Sequence, residues 1–546
     1  MQSIKHLYTN ITQTMPSYRL RENQLAMILH IEKCFSTANQ ELKDGSNISL
    51  IEAPTGTGKS FAYLLAGIIT AKKLNKRLLI ATATKTLQNQ LIENDIPTLI
   101  KYSGLKFSYG LAKGRSNYLC PYQLELSSQA NNADLFQNNK QESEQLQEIR
   151  NYFHKQLWNG DLDLAPFSIP QKLKAKITID KDRCLAYSCP YNQKSECKCP
   201  FYLNREQLKT SEIVVTNHSL LLADISVGSG SVLPLKLSDC LLCVDEGHNF
   251  ADNAINSLSK SFVLKQALSS CHNLAKLIYN PHNQSYLLVD NIKSEALFDQ
   301  TTRLITLLED LNQLLSRNLE LFKDNQLILN DYLNLNLGSE FRDCFVGFAY
   351  VASELYANLE AVISQIKDEL KTKPDALLEG NLNKLGFYNA VIEDIMLTSK
   401  YIINQDASRY NANAKWIEFQ PHSQDFAVNA VPTHVGNILL NKLWSIVHGA
   451  LVTSATLAIG EDFRYYLHKL GLNLLPQVKL HKLPTNFIYQ KQAQIVVPRF
   501  KASPEYALRN DFTIELGQYL SKTLNYTEGY GTLVLFFNRS QLQETY

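Results

Sequence analysis

The octapeptide Ala53-Pro54-Thr55-Gly56-Thr57-Gly58-Lys59-Ser60 joins two glycines to a lysine and a hydroxyl. Gly56 and Gly58 let successive backbone N–H groups converge on phosphate oxygens with no Cβ in the way. Lys59 is a point charge for β- and γ-phosphates, and Ser60 offers a hydroxyl to Mg²⁺. Pro54, Thr55 and Thr57 complete the loop, and Ala53 stands where such loops carry their first glycine. Far downstream, Leu241-Leu242-Cys243-Val244 ends in Asp245-Glu246-Gly247-His248. An apolar strand ending in two acids supplies Asp245 to hold Mg²⁺ through water and Glu246 to polarise an attacking water. Together the two segments imply nucleoside triphosphate hydrolysis.

Ten cysteines are a second chemical resource, and five of them, Cys120, Cys184, Cys189, Cys197 and Cys199, fall in one stretch. Four thiolates can hold a [4Fe–4S] cluster or a structural Zn²⁺, and spacing alone does not separate the two. Cys197 and Cys199 compete for the fourth place. Cys34, Cys240, Cys243, Cys271 and Cys344 are scattered and read as core filler.

These residues need a scaffold. Ile48 to Glu52 reads as a buried strand, followed by the glycine turn and a helix from about Lys59 to Lys73. Arg77 to Thr82, Ile213 to Thr216, Leu241 to Val244 and Ala450 to Thr453 read as further strands of a parallel sheet, with Gln494 to Val497 and Thr532 to Phe537 following. Residues 130–180 look inserted. A second interruption near 255–410 is helical, clearest at Thr301 to Leu333, where Leu304, Leu307, Leu308, Leu311, Leu314 and Leu315 form a stripe.

The 546 residues carry 54 Lys+Arg against 52 Asp+Glu, which excludes a strongly polyanionic or histone-like protein and leaves room for local basic stripes. No apolar run reaches the length of a membrane span, and residues 1–20 hold no signal-peptide core, so a cytoplasmic protein with no membrane partner is expected. In a reducing compartment the clustered cysteines point to a metal and not to disulfides.

Asp245-Glu246-Gly247-His248 resembles the corresponding segment of superfamily-two helicases. Lys113-Gly114-Arg115-Ser116-Asn117-Tyr118-Leu119-Cys120, with Cys184, Cys189 and Cys199-Pro200-Phe201-Tyr202, resembles the iron–sulfur helicases of the DinG/XPD type, best the bacterial DinG and YoaA branch. Arg21 and Gln24, Thr82 to Leu91, Asn217-His218 and Thr453-Ser454-Ala455-Thr456-Leu457 match further motifs. The resemblance implies a RecA-like P-loop motor domain carrying an iron–sulfur insertion and an α-helical arch, followed by the start of a second RecA-like domain. The expected organisation is motor at 1–110, 211–255 and 413–485, cluster insertion at 111–210, arch at 256–412 and an incomplete second motor domain at 486–546. No Gly-Arg-x-x-Arg follows Leu457, so that second domain is expected to be truncated, and this chain alone to hydrolyse and unwind poorly unless a partner chain supplies the missing half; the alternative is an ATP- and DNA-binding helicase-like protein without unwinding activity.

The same resemblance implies an ATP-dependent DNA helicase moving 5′ to 3′ on single-stranded or forked DNA, in contact with replication or repair proteins. Its cofactors would be ATP, Mg²⁺ and a [4Fe–4S] cluster on Cys120, Cys184, Cys189 and Cys199, the last chosen for its Cys-Pro-Phe-Tyr context. Arg21 and Gln24 would recognise adenine. Thr82, Thr84 and Gln88 would contact the DNA backbone, and His248, Ser454 and Thr456 would couple nucleotide state to strand binding. Gly247, where the family carries Ala, is expected to loosen its turn slightly. From Lys181 to Lys209 six basic and three acidic residues are interleaved with Tyr187, Tyr191, Phe201 and Tyr202, and Lys106, Lys113 and Arg115 precede the first cysteine. Cations that track phosphates, with aromatics for stacking, suit a single-strand channel.

Overall fold

A computed structural model describes residues 3–546 apart from 17, 19, 38–43, 134–139, 180–183, 185–188, 194–197, 280–290, 330–337, 373–375, 404–412, 486, 504–508 and 528–530. Cys197 and Tyr187 lie outside the described residues. The chain divides into a unit from Met1 to Pro484 and a second from Thr485 to Tyr546.

The strands in chain order are β1 (Ile48–Glu52), β2 (Arg77–Thr82), β3 (Tyr109–Leu111), β4 (Ile213–Asn217), β5 (Cys240–Asp245), β6 (Lys260–Val263), β7 (Gln326–Ile328), β8 (Asn413–Gln420), β9 (Asp425–Pro432), β10 (Gly449–Ser454) and β11 (Lys479–Lys482). Seven of them form a parallel sheet in the order β11-β1-β10-β5-β2-β4-β3. A parallel sheet is covered on both faces, which is why its central strands are uninterrupted apolar runs. One face is covered by α1 (Ile4–Thr14), α2 (Glu22–Ser36) and α3 (Lys59–Leu74), through Ile28, Phe35, Leu64 and Ile68. The other is covered by the helices His218–Val227 and Phe250–Leu258 together with Trp444. This is the RecA-like α/β architecture expected of the core.

Register sets the site. Glu52 pairs with Ser454, and Thr453 pairs with Asp245, so the carboxyl ends of β1, β10 and β5 reach one edge together. In open parallel sheets that edge is where ligands bind.

Two excursions leave the sheet, one between β3 and β4 and one between β5 and β10. The second contains long helices at Asn291–Arg317, Gly338–Thr372 and Ala376–Ile403. The whole leucine stripe lies in the helix Asn291–Arg317, and the chain beyond it turns into β7. The excursion also holds an antiparallel sheet, β6-β9-β8-β7, that the helical reading did not foresee. Ile417, Phe426 and Val428 bury in one cluster with residues of the excursion's helices, among them Leu308 and Phe345. Trp416 sits in β8, half-buried, as a packing residue.

In the second unit the helix Arg509–Tyr526 sets Phe512 and Tyr519 against Phe500. Gln494 to Val497 and Thr532 to Phe537 do not form ladder strands there, and Ile495, Val497, Leu533, Leu535 and Phe537 are exposed. Among the described residues no neighbouring strand lies beside them to take their backbone hydrogen bonds.

Candidate functional site: a phosphate loop and its acidic partner

The loop between β1 and α3 is shaped by Gly56 at φ +80° and Gly58 at φ +82°, a region that L side chains rarely adopt. A Cβ on Gly58 would also lie 2.2 Å from Gln24 Nε2. Thr57 closes the turn by donating from Oγ1 to Pro54 O at 2.7 Å. Lys59 Nζ lies 3.8 Å from Glu246 Oε1, so the cation and the candidate base face the same space.

Arg21 and Gln24 grip this loop from α2 and the residue before it. Arg21 donates to Gly56 O at 2.8 Å, and Gln24 Nε2 donates to Gly58 O at 2.8 Å. Gln24 Oε1 accepts from both Tyr8 and Tyr18, each at 2.6 Å, which fixes the orientation of the amide. Both residues expected to recognise adenine therefore hold the loop's carbonyls.

Asp245 ends β5 almost fully buried. Its Oδ2 accepts from Tyr63 at 3.1 Å and its Oδ1 from the Glu246 N–H at 2.9 Å. Burial, and then the neighbouring Glu246 charge, push the Asp245 carboxyl up to about 6. A nearby divalent cation would return it to the charged form. Glu246 itself has φ +50°, a strained setting that turns its carboxylate away from the strand and toward Lys59 and Ser454. His218 Nε2 donates to Asp245 O at 2.8 Å, and burial lowers this imidazole to about 4, so it acts as a neutral brace.

Ser454, buried at the end of β10, donates to Glu246 Oε2 at 3.1 Å and lies 2.6 Å from His248 Nδ1. The expected coupling pair thus touches the candidate base directly. Thr456 is exposed beyond the strand. Gly247 has a reason the sequence did not show: a Cβ there would stand 2.3 Å from Val452 Cγ1. The turn is held close to β10 and not loosened.

Among the expected nucleic-acid contacts, Thr84 is exposed and caps α4 (Lys85–Gln90), accepting from Leu87 N at 3.3 Å. Thr82 and Gln88 are buried, and Gln88 Nε2 has no hydrogen-bond partner among the described residues. Lys113 is corrected from an exposed phosphate contact to an internal tie: its ammonium lies 2.6 Å from Asp161 and 3.3 Å from Asp163. Asp163 is shared with Lys85 at 3.0 Å, so the first excursion is pinned to α4. Arg115 remains at a cavity of about 610 Å³ together with Phe201, Tyr202, Arg205 and Lys209. Arg205, which sequence reasoning missed, lies over the Phe201 ring at 4.7 Å, with Nε and one terminal nitrogen unpartnered among the described residues. Burial lowers it to about 10.

Cys120, Cys184, Cys189 and Cys199 lie near enough to affect one another's thiols. Burial pushes the Cys120 thiol far up, and nearby Cys199, Cys184 and Cys189 add to this against a backbone donor at Gln123. Cys199 is pushed up to about 12, by burial first, with Cys184 and Cys189 contributing. Three of the four precede a proline that opens a helix: Cys120 before Pro121, Cys189 before Pro190 and Cys199 before Pro200. Proline at the first helical position leaves the preceding thiol beside free N–H groups and the positive end of the dipole. That repeated Cys-Pro pair is a sequence signal for the set. Four cysteine sulfurs are donors of the kind a soft metal group takes. Among the described residues no group of three or more His, Cys, Asp or Glu is gathered so as to hold a metal ion.

Residues 32–125 match the DEAD/DEAH box helicase family and residues 176–267 match the DEAD_2 family. The chain is 28% identical to an ATP-dependent DNA helicase DinG of Photobacterium profundum, over 99% of this chain and 77% of the relative. It is 25% identical to the proteins of that name from Salmonella choleraesuis and Escherichia coli K12, in each case over 98% of this chain and 75% of the relative. With the parallel sheet and the paired loop and acidic motifs already in hand, the chain is a homologue of the DinG-type superfamily-two helicases.

Proposed function

We propose that the chain is an ATP-dependent DNA helicase that travels 5′ to 3′ on single-stranded DNA and opens forked duplexes in repair or replication, in the cytoplasm. One observation carries the reading: Lys59 of the phosphate loop, Glu246 of the acidic strand end and Ser454 of β10 meet at one edge of the sheet.

In this reading the Gly56–Ser60 loop cradles the triphosphate and Lys59 neutralises its terminal phosphates. Ser60 and Asp245 hold Mg²⁺, and Glu246 orients the attacking water. Ser454 and His248 sense the Glu246 carboxylate and pass its state to the strand-binding side. Arg115, Arg205 and Lys209, with Phe201 and Tyr202, form part of the track for one DNA strand, cations to phosphates and rings to bases. Thr84, at the exposed start of α4, would contact the same backbone.

Cys120, Cys184, Cys189 and Cys199 would hold a [4Fe–4S] cluster, which when bound supplies a covalent brace to the excursion. Such a cluster takes one thiolate at each of four irons, so its ligands need not crowd around a single ion. Membrane partners are not invoked, and among the described residues no helix is long and apolar enough to cross a membrane.

The test is unwinding of a labelled forked duplex with a 5′ tail. Strand release, even if slow, that needs ATP and Mg²⁺ and is absent in Lys59→Ala supports the reading; release that ignores the substitution, or no release at excess protein, refutes it.

A further inference from the structure

Tyr63 is a bulky polar residue in the apolar run Phe61 to Ile69 of its helix. It sits on α3, three residues after Ser60 and so on the same helical face, inside the cluster formed by Ile51, Phe61, Leu64 and Cys243. A phenylalanine would fill the same space. A buried phenol is retained when its hydroxyl has a partner, and here the partner is Asp245, an expected magnesium ligand. The hydroxyl donates to Asp245 Oδ2 at 3.1 Å.

We propose that Tyr63 is a positioning residue of the magnesium site, a phenol on the helix behind the phosphate loop that sets the Asp245 carboxylate. This rests on the reading of the loop as a Mg²⁺-nucleotide site. With Tyr63 on Oδ2 and the Glu246 N–H on Oδ1, the Asp245 carboxylate is held in one plane. Each oxygen keeps lone-pair capacity for a metal-bound water. Residues that orient a metal's ligands commonly govern its affinity by an order of magnitude or more. Tyr63 thus ties the helix that follows the phosphate loop to the end of β5.

The experiment measures ADP affinity of the whole chain by calorimetry, with Mg²⁺ and with excess EDTA, for the parent and Tyr63→Phe. The substitution removes one oxygen and leaves the ring in its cluster, and circular dichroism with a thermal midpoint reports whether the variant is folded. The expected result is ADP affinity in EDTA within about twofold of the parent, and a Mg²⁺-dependent gain reduced roughly tenfold. In an Asp245→Asn background, where the carboxylate charge is already gone, Tyr63→Phe should change the Mg²⁺ dependence little further. A Mg²⁺ gain equal to the parent's in folded Tyr63→Phe, or an undiminished effect in the Asp245→Asn background, would overturn the proposal. Absence of ADP binding by the parent protein would instead remove the nucleotide reading on which it rests.

Discussion

His248 Nδ1 lies 2.6 Å from Ser454 Oγ, which in turn donates to Glu246 Oε2 at 3.1 Å. The turn after β5 and the end of β10, some two hundred residues apart in sequence, thus share one hydrogen-bonded chain ending on the candidate base. A movement of either strand end must change the setting of that carboxylate.

Ser454→Ala should therefore separate binding from stimulation. Removing one hydrogen bond of about 1.5 kcal/mol to a charged partner lowers DNA-stimulated hydrolysis about tenfold, with Mg²⁺-ATP affinity within about twofold. Steady-state rates with and without single-stranded DNA give the comparison, and equal stimulation in parent and variant would contradict the coupling.

Gly247→Ala should destabilise the fold by about 1–3 kcal/mol, because its new Cβ meets the stiff Val452 side chain. Combining it with Val452→Ala should cost less than the sum of the two single losses. Denaturant midpoints of the four proteins decide this, and strict additivity would show that the two side chains do not meet.

His30 and His481 stack with ring centroids 3.6 Å apart. Burial, and then the neighbouring His30, lower His481 to about 4, and burial also lowers His30. Both are held neutral in the fold and take protons more readily when unfolded. Their contribution is complete above about pH 6.5 and is lost as pH falls toward 4. Both are partly exposed, so the effect is about 1 kcal/mol or less. Thermal midpoints of His481→Gln and the parent should converge as pH falls from 7 to 4.5; a gap that is constant across this range would rule out the titration.

Purified without oxygen, the protein should be yellow-brown and carry about four irons per chain. Cys199→Ser should lose most of that iron, while Cys34→Ser, at a scattered buried cysteine, should keep it. Colourless protein containing zinc would replace the cluster by a structural metal.

The central strands were legible because burial on both faces writes them as apolar runs, and β1, β2, β4, β5 and β10 fall within about a residue of expectation. The loop and acidic motifs were legible because phosphate and Mg²⁺ chemistry restricts the residue types. The small antiparallel sheet was not. In β8 only Ile417 is fully buried, so no alternation marks the strand. Lys113 could not be separated from an exposed phosphate contact, since its partner Asp161 lies 48 residues away and only the fold joins them. Tyr63 was hidden for the opposite reason: an aromatic in an apolar helix looks like core until its hydroxyl is seen at Asp245.

The central claim is that Lys59 and Glu246 work on one nucleotide under the control of DNA. Its most direct test is the rate of ATP hydrolysis by the whole chain, with and without single-stranded DNA, beside Lys59→Ala and Glu246→Gln. The account predicts a Mg²⁺-dependent rate that rises with DNA and falls at least a hundredfold in both variants. A rate unchanged by either substitution would contradict it.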